Sequence, residues 1–357
     1  MVDGPVDVPQ TLNGVTAGWM TEHLGRVIDA VEVTQIGEGS GFMGQLARVT
    51  ITSSDPAAPA SVIVKMPTLD PGARAIGEMM GVWVREHSFY RDIAPDVDIR
   101  IPTALVNIVD PPLLVLEDLR PGVVGDHVAG ATIGQAERAI DVIAQHHAQW
   151  FEDPRLARLE WLPGLDDPAI LTLQDTFAIG WPLFLERYGD VLPARCLRWC
   201  EEFVPGIPEW IERHYDDPAT LIHGDFRLDN LLFYDDGSVG VIDWQLCMRA
   251  PGQTDIVYFC ANNLDVETRE LHDLALIDRY VAGLHRHGVP EDKVTVDQVR
   301  RGYLEGLVFY AVSFGASLLT IDPANERGTA LFDALVERTF AALEHHSAGL
   351  ALGFADA

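Results

Sequence analysis

Basic residues are scarce in this chain: 25 Lys and Arg stand against 54 Asp and Glu, a formal net charge of −29. No run of basic residues offsets that balance, so neither a nucleic-acid partner nor binding to an anionic membrane is expected, since both rely on Lys and Arg to neutralise phosphates. The charge itself predicts a solvated acidic surface and leaves a cationic ligand open. Cysteine is scarce as well. Cys196, Cys200, Cys247 and Cys260 form no C-x-x-C pair and have no histidine spacing suited to zinc, so they read as reduced core thiols. Long apolar runs are missing: the longest, Gly306 to Ile321, contains Ser313 and Ser317 and falls short of the roughly 18 residues a membrane span needs. That stretch reads as a buried helix, and no membrane insertion is expected. The first ten residues carry Asp3 and Asp7 and no basic start ahead of an apolar run, which does not read as a signal peptide, so a cytoplasmic location is expected. With 31 glycines and 22 prolines among 357 residues, the chain is also far from low-complexity composition, and no internal repeat is visible.

What is present suits two lobes around one cleft. The length corresponds to about two typical domains, and 48% apolar residues can form a sizeable core. The first hundred residues are strand-rich. Val31 to Ile36 and Gln45 to Thr52 flank a glycine cluster as a hairpin, Ser61 to Met66 follows as a third strand, and Ala104 to Ile108 and Leu113 to Leu116 supply two more. Between them the apolar spacing of Ile76, Met79, Met80, Trp83, His87 and Tyr90 predicts one main helix over Ala75 to Ile93. The remainder is mostly helical: Thr132 to Phe151 with Thr132 as its cap, then Gln174 to Tyr188, Pro193 to Arg213, Val266 to His287, Val296 to Leu319 and Thr329 to His346. One hairpin, Asn230 to Tyr234 and Val239 to Ile242, stands alone among these helices.

Chemistry concentrates at that hairpin. His223-Gly224-Asp225-Phe226-Arg227-Leu228-Asp229-Asn230 precedes it and Val241-Ile242-Asp243-Trp244 ends it. Phosphoryl transfer from a nucleotide needs a carboxylate to take the proton of the attacking hydroxyl and oxygen ligands to hold magnesium against the phosphates. Asp225 and Asn230 have the separation of the catalytic Asp and the metal-binding Asn in protein kinases, and Asp243 stands at a strand end where a second metal carboxylate belongs. Arg227, two residues after the base, suits a cation that stabilises developing charge, or else a surface or structural ion pair. In the first lobe, Gly39-Ser40-Gly41-Phe42-Met43-Gly44 fits G-x-G-x-x-G, and because a strand rather than a helix follows, the glycines cap a hairpin suited to lie over phosphates. Lys65 lies within a strand, where a cation needs a counter-charge, and Glu86 on the following helix is its candidate partner.

These motifs, together with Leu114-Val115-Leu116-Glu117-Asp118-Leu119 and Asp255-Ile256-Val257-Tyr258-Phe259, resemble the aminoglycoside phosphotransferase and choline kinase-like superfamily of small-molecule kinases, in its ecdysteroid kinase-like branch. The resemblance runs from about residue 30 to 345. It implies an α+β, two-lobed, protein-kinase-like fold: an N-terminal antiparallel sheet lobe with one main helix (1–116), a hinge (117–122) and a larger, mostly helical C-terminal lobe (123–357). It further implies ATP, with GTP left open, and Mg2+ as cofactors. Asp225 is then the general base, Asn230 and Asp243 are the magnesium ligands, and Lys65, oriented by Glu86, anchors the nucleotide. The backbone of Glu117 and Leu119 would meet adenine, and Gly39, Ser40 and Gly41 would cover the phosphates. Gln245 stands where protein kinases carry the DFG glycine and no Ala-Pro-Glu follows, so the expected partner is a small-molecule hydroxyl substrate and not a protein. The 255–259 segment points to an apolar or sterol-like alcohol; an aminoglycoside or a choline-like amino alcohol is the alternative acceptor, and a pseudokinase or nucleotide-binding regulatory module the alternative function. His146-His147 and His345-His346 are not read as metal ligands, since adjacent residues on a helix point in different directions. Trp181, Phe184, Tyr188 and Trp210 have the spacing of core residues and are also candidates to line an acceptor pocket.

Overall fold

The structure, a computed structural model, describes residues 8–37, 44–165, 170, 172–214, 217–320 and 325–355. It divides into two compact units: Met1–Val97 with Ile101–Pro121, and Asp98–Arg100 with Gly122–Ala357.

The first unit is built on an antiparallel sheet of β1 (Ala30–Ile36), β2 (Gly44–Thr52), β3 (Ser61–Pro67), β4 (Ala104–Ile108) and β5 (Leu113–Glu117), in the order β1-β2-β3-β5-β4. Alternation along the strands sends Val62, Val64, Met66, Leu113 and Val115 into one core with Trp19 and Met20 of α1 (Ala17–Leu24). Lys65 and Leu114 therefore belong to the opposite face. The single helix expected over Ala75 to Ile93 is two: α2 (Pro71–Met79), capped by Asp70, and α3 (Val82–Asp92). The apolar period runs on unbroken, but Gly81 adopts φ +66°, a left-handed conformation that ends one helix and starts the next. Helix α1, with Thr16 as its cap, was not expected; two turns are too short to carry a clear period.

In the second unit, α4 (Ile133–Gln149) starts at a capping box of Thr132 and Gln135. Helix α5 (Leu173–Tyr188) follows, and the helix expected over Pro193 to Arg213 is broken around Pro205 into α6 (Ala194–Phe203) and α7 (Ile207–His214). Strands β6 (Val123–Val124), β8 (Leu231–Phe233) and β9 (Val239–Val241) form one small sheet, while β7 (Ala219–Ile222) pairs with β10 (Met248–Pro251). Helices α8 (Gln253–Asn262), α9 (Val266–Arg286), α10 (Val296–Ser317) and α11 (Glu326–His346) complete it. The cysteines are free and buried. Among the described residues no helix is long and apolar enough to cross a membrane.

Helices α5 and α10 meet at glycines: a Cβ on Gly180 would lie 1.9 Å from the Gly315 carbonyl oxygen. Gly180→Ala, which would gain about 1 kcal/mol in an open helix, is therefore expected to cost about 1–3 kcal/mol through overpacking; a denaturant melt showing equal or greater stability would contradict this packing. The core also stores pH dependence. Burial holds His87, His127 and His146 below the ordinary imidazole value of 6.5, so the folded protein keeps them neutral where the unfolded chain binds protons. Stability from these groups is present above that value and lost as pH falls through it, while His214, raised by Glu305 against the effect of its burial, acts in the opposite sense. The melting temperature is expected to fall from about pH 7 to about pH 5, less so in His146→Phe; a flat profile would contradict the neutral core.

Candidate active site

The loop after β7 is shaped by backbone restraint. Gly224 has φ +80°, and a Cβ there would sit 2.1 Å from the Leu246 carbonyl oxygen, so only glycine fits between His223 and Asp225. Asp255, fully buried in the first turn of α8, accepts from the amides of His223 (2.7 Å) and Gly224 (2.9 Å) and lies 3.2 Å from His147 Nε2. His223 in turn donates from Nε2 to the Ile242 carbonyl (2.9 Å) and accepts the Asp225 amide on Nδ1 (3.2 Å). The imidazole thus ties the loop to the end of β9, just before Asp243, and Trp244 packs against the rings of both His223 and His146.

Asp225 is held by its neighbours. Arg227 Nε donates to Asp225 Oδ2 (3.0 Å) and its NH1 to Asp229 Oδ2 (3.1 Å). Although burial opposes the guanidinium charge, Asp225, Tyr258 and Asp229 hold its pKa above the ordinary value. Arg227 is thus engaged in the ion-pair arrangement, with two carboxylates as partners. Asn230 Nδ2 donates to the Asp225 carbonyl (2.9 Å) and to Oδ2 (3.0 Å). Pairing of Leu231 with Val241, and the bond from the Ile242 amide to the Asn230 carbonyl (3.0 Å), set Asn230 beside the turn that carries Asp243. Asp243 itself is left-handed, with φ +67°, an uncommon state for a side-chain-bearing residue and one often found where function demands it. With Nδ2 committed to Asp225, Asn230 keeps Oδ1 for a metal, and together with the Asp243 carboxylate this is an all-oxygen set of the kind magnesium prefers. Among the described residues no cluster of three or more His, Cys, Asp or Glu competes as a metal centre; two protein ligands leave room for phosphate oxygens and water, the usual magnesium arrangement.

In the first unit, Lys65 Nζ lies 2.6 Å from Glu86 Oε2, with both side chains buried. The structure thus brings together the pair expected from sequence. Gly39, Ser40 and Gly41 lie outside the described residues. Glu117 accepts from the Thr103 amide and hydroxyl, and Leu119 is buried.

Sequence reasoning gave no role to several groups that shape the site. Asp255 and Tyr258 entered only as part of a family-like segment, yet Asp255 holds the loop. Tyr258, its phenol raised by burial and then by the Asp225 charge, packs its ring 5.2 Å from that of Tyr310. His147 links Asp255 to the Tyr280 hydroxyl, and Asn263 Oδ1 accepts the Leu228 amide (2.8 Å). A Gly-x-x-Asp at the start of a helix, about ten residues beyond the hairpin, was the available signal for Asp255. Trp181, Phe184 and Tyr188 are buried in a stack of rings with Phe177, whereas Trp210 is half-buried against Phe309.

Comparison with known proteins identifies the family. Residues 85–291 match the model of the phosphotransferase enzyme family (APH). A curated relative, "Acyl-CoA dehydrogenase family member 10" of Mus musculus, is 30% identical over 88 residues, 21% of this chain; the match spans only 8% of that protein's length. Among solved structures, the macrolide 2'-phosphotransferase of Brachybacterium faecium shares the fold at 17% identity and a TM-score of 0.53, covering 92% of this chain and 98% of that one. The ethanolamine kinase of Plasmodium vivax does so at 13% identity and 0.54, covering 90% and 86%. With a two-unit, kinase-like α+β fold and more than half its length inside the family model, the chain belongs to the phosphotransferase enzyme family.

Proposed function

We propose that the protein transfers the terminal phosphate of ATP, with magnesium, to the hydroxyl of an apolar small molecule. The observation that carries this reading is the setting of Asp225: its Oδ2 is gripped by Arg227 and Asn230, beside the turn that carries Asp243. Asp225 Oδ2 or Oδ1 takes the acceptor's proton as its oxygen attacks phosphorus. Asn230 Oδ1 and the Asp243 carboxylate would hold magnesium, which when bound neutralises charge on the phosphate oxygens. Lys65, aimed by Glu86, binds the phosphates; Arg227 orients Asp225, its own charge balanced by Asp225 and Asp229. In this reading residues 1–116 hold the nucleotide, 117–122 serve as the hinge, and 123–357 carry the catalytic loop and the acceptor.

Support for an apolar acceptor comes from the half-buried rings of Tyr258 and Tyr310 next to Asp225 and from the name of the curated relative, an acyl-CoA dehydrogenase. The test is transfer of labelled phosphate from ATP into a panel of sterols, hydroxylated acyl chains, amino alcohols, aminoglycosides and macrolides. Label is expected in an apolar class. Label confined to amino alcohols, aminoglycosides or macrolides would overturn the acceptor assignment, and tight magnesium-ATP binding with no transfer to any compound would leave a nucleotide-binding module instead.

Asp225→Asn is expected to lower transfer by about 10²–10⁴-fold with nucleotide affinity little changed, measured by single-turnover transfer and calorimetry; a mild loss would remove Asp225 as the base. Asp243→Ala is expected to abolish magnesium-dependent nucleotide binding, and undiminished binding in a titration would mean the metal lies elsewhere. Lys65→Ala strands the buried Glu86 carboxylate and is expected to cost stability as well as ATP use, so the paired Lys65→Met/Glu86→Gln variant is the test of role: it is expected to weaken ATP use at a near wild-type melting temperature, whereas unchanged ATP use would make the pair structural.

A further inference from the structure

Helix α3 is tied to the sheet by two successive residues. Glu86 pairs with Lys65 of β3, and the next residue, His87, meets Asn107 of β4. His87 Nδ1 lies 2.5 Å from Asn107 Oδ1, while Asn107 Nδ2 donates to the His87 carbonyl at 2.9 Å. One amide therefore takes a bond from the side chain of His87 and gives a bond to its backbone, so the helix can neither slide nor rotate there without losing both. Burial leaves the imidazole neutral at pH 7, which suits a ring that donates from Nδ1 alone.

Strand register explains why the two ties fall together. Lys65 stands opposite Leu114 of β5, and Leu114 stands opposite Asn107 of β4, so the three occupy one rung and point to one face. With strands about 4.8 Å apart, the ties are separated by about 10 Å across that rung. The register depends on a bulge. Pairing between β4 and β5 shifts by one residue between Ala104 and Val106, leaving Leu105 extra. Without that shift Asn107 would stand opposite Leu113 and point to the other face, into the core of Met20, Val64 and Val115. Helix α3 has particular need of such a tie: it begins at left-handed Gly81 with no side-chain cap, so α2 does not continue into it.

We propose that the His87–Asn107 clip is a positioning element for ATP use: it fixes the rotation of α3 so that Glu86 meets Lys65. This rests on reading Lys65 and Glu86 as the phosphate anchor. Packing of Val82, Trp83, Phe89 and Tyr90 holds α3 in place, but apolar contact is non-directional; a second directional tie two strands from the ion pair fixes the rotation, and displacement of a positioning group by about 1 Å can cost orders of magnitude in function.

The test is calorimetric titration of magnesium-ATP, which needs no knowledge of the acceptor, on two variants: Asn107→Ala, and the paired His87→Phe/Asn107→Leu, which replaces both polar partners with apolar groups of similar size and so preserves packing. Each is also made in a Glu86→Gln background, and melting temperatures are recorded throughout. The expected result is a Kd raised about tenfold in both variants, a near wild-type melting temperature for the paired variant, and no further rise in the Glu86→Gln background, the coupling expected of groups that act through one another. An unchanged Kd, or an equal rise in both backgrounds, would overturn the proposal and leave the clip a packing feature. If Lys65→Ala and Glu86→Gln alone leave the Kd unchanged, the anchor reading has failed and the clip's role falls with it, an outcome read from the single variants without reference to Asn107.

Discussion

A fully buried carboxylate, Asp255, receives the amides of His223 and Gly224 and the imidazole of His147, and the second unit is organised around it. Hydrogen bonds to an ionised acceptor are about twice as strong as neutral ones, and a buried charge stripped of its donors is strongly destabilising. The loop is therefore locked in the one path that keeps Asp255 satisfied. Three elements converge to make this possible. Helix α4 brings His147, α9 brings the Tyr280 hydroxyl behind it, and α8 places Asp255 in its first turn, where the helix dipole also favours a negative charge. Gly252 is part of the fit, since a Cβ there would lie 2.2 Å from the Tyr280 hydroxyl.

From that anchor the restraints pass outward along the chain. His223 hands the geometry to Ile242 and so to Asp243; Asn230 hands it to Asp225; Asn263 holds Leu228, and the His127 amide holds Asp229. The local charge pattern answers a problem posed by the composition. Under the proposed function a chain with net charge −29 meets a polyphosphate, and at the loop Arg227 sits between Asp225 and Asp229 while Arg327 lies 3.6 Å from the far oxygen of Asp229. In the first unit the proposed phosphate anchor is Lys65, whose charge is balanced by Glu86 on a helix tied to the same rung of the sheet.

Much of this could be read from the residues. The five-residue step from Asp225 to Asn230, the hairpin that follows and the strand-end Asp243 are local features, and local chemistry is written in contiguous sequence. Lys65 and Glu86 were found because a cation in a strand demands a partner. Other features depended on distant neighbours and were not readable. Asp255 is one aspartate among many until β7 and α8 are folded together, and the bulge at Leu105, which turns Asn107 toward α3, has no signature in an apolar stretch. The break between α2 and α3 is hidden because the apolar period continues through Gly81 while the backbone does not, and β7 and β10 escape notice because they pair across the whole loop and hairpin between them, with no local turn to mark the pairing.

The proposed transfer requires a loop held by Asp255. The measurement is the single-turnover transfer rate of Asp255→Asn, taken well below its melting transition, beside its affinity for magnesium-ATP. Asparagine keeps the shape but loses the charge and one acceptor oxygen, so the rate is predicted to fall by about 100-fold while the nucleotide still binds. A rate close to wild type in the folded variant would contradict the account.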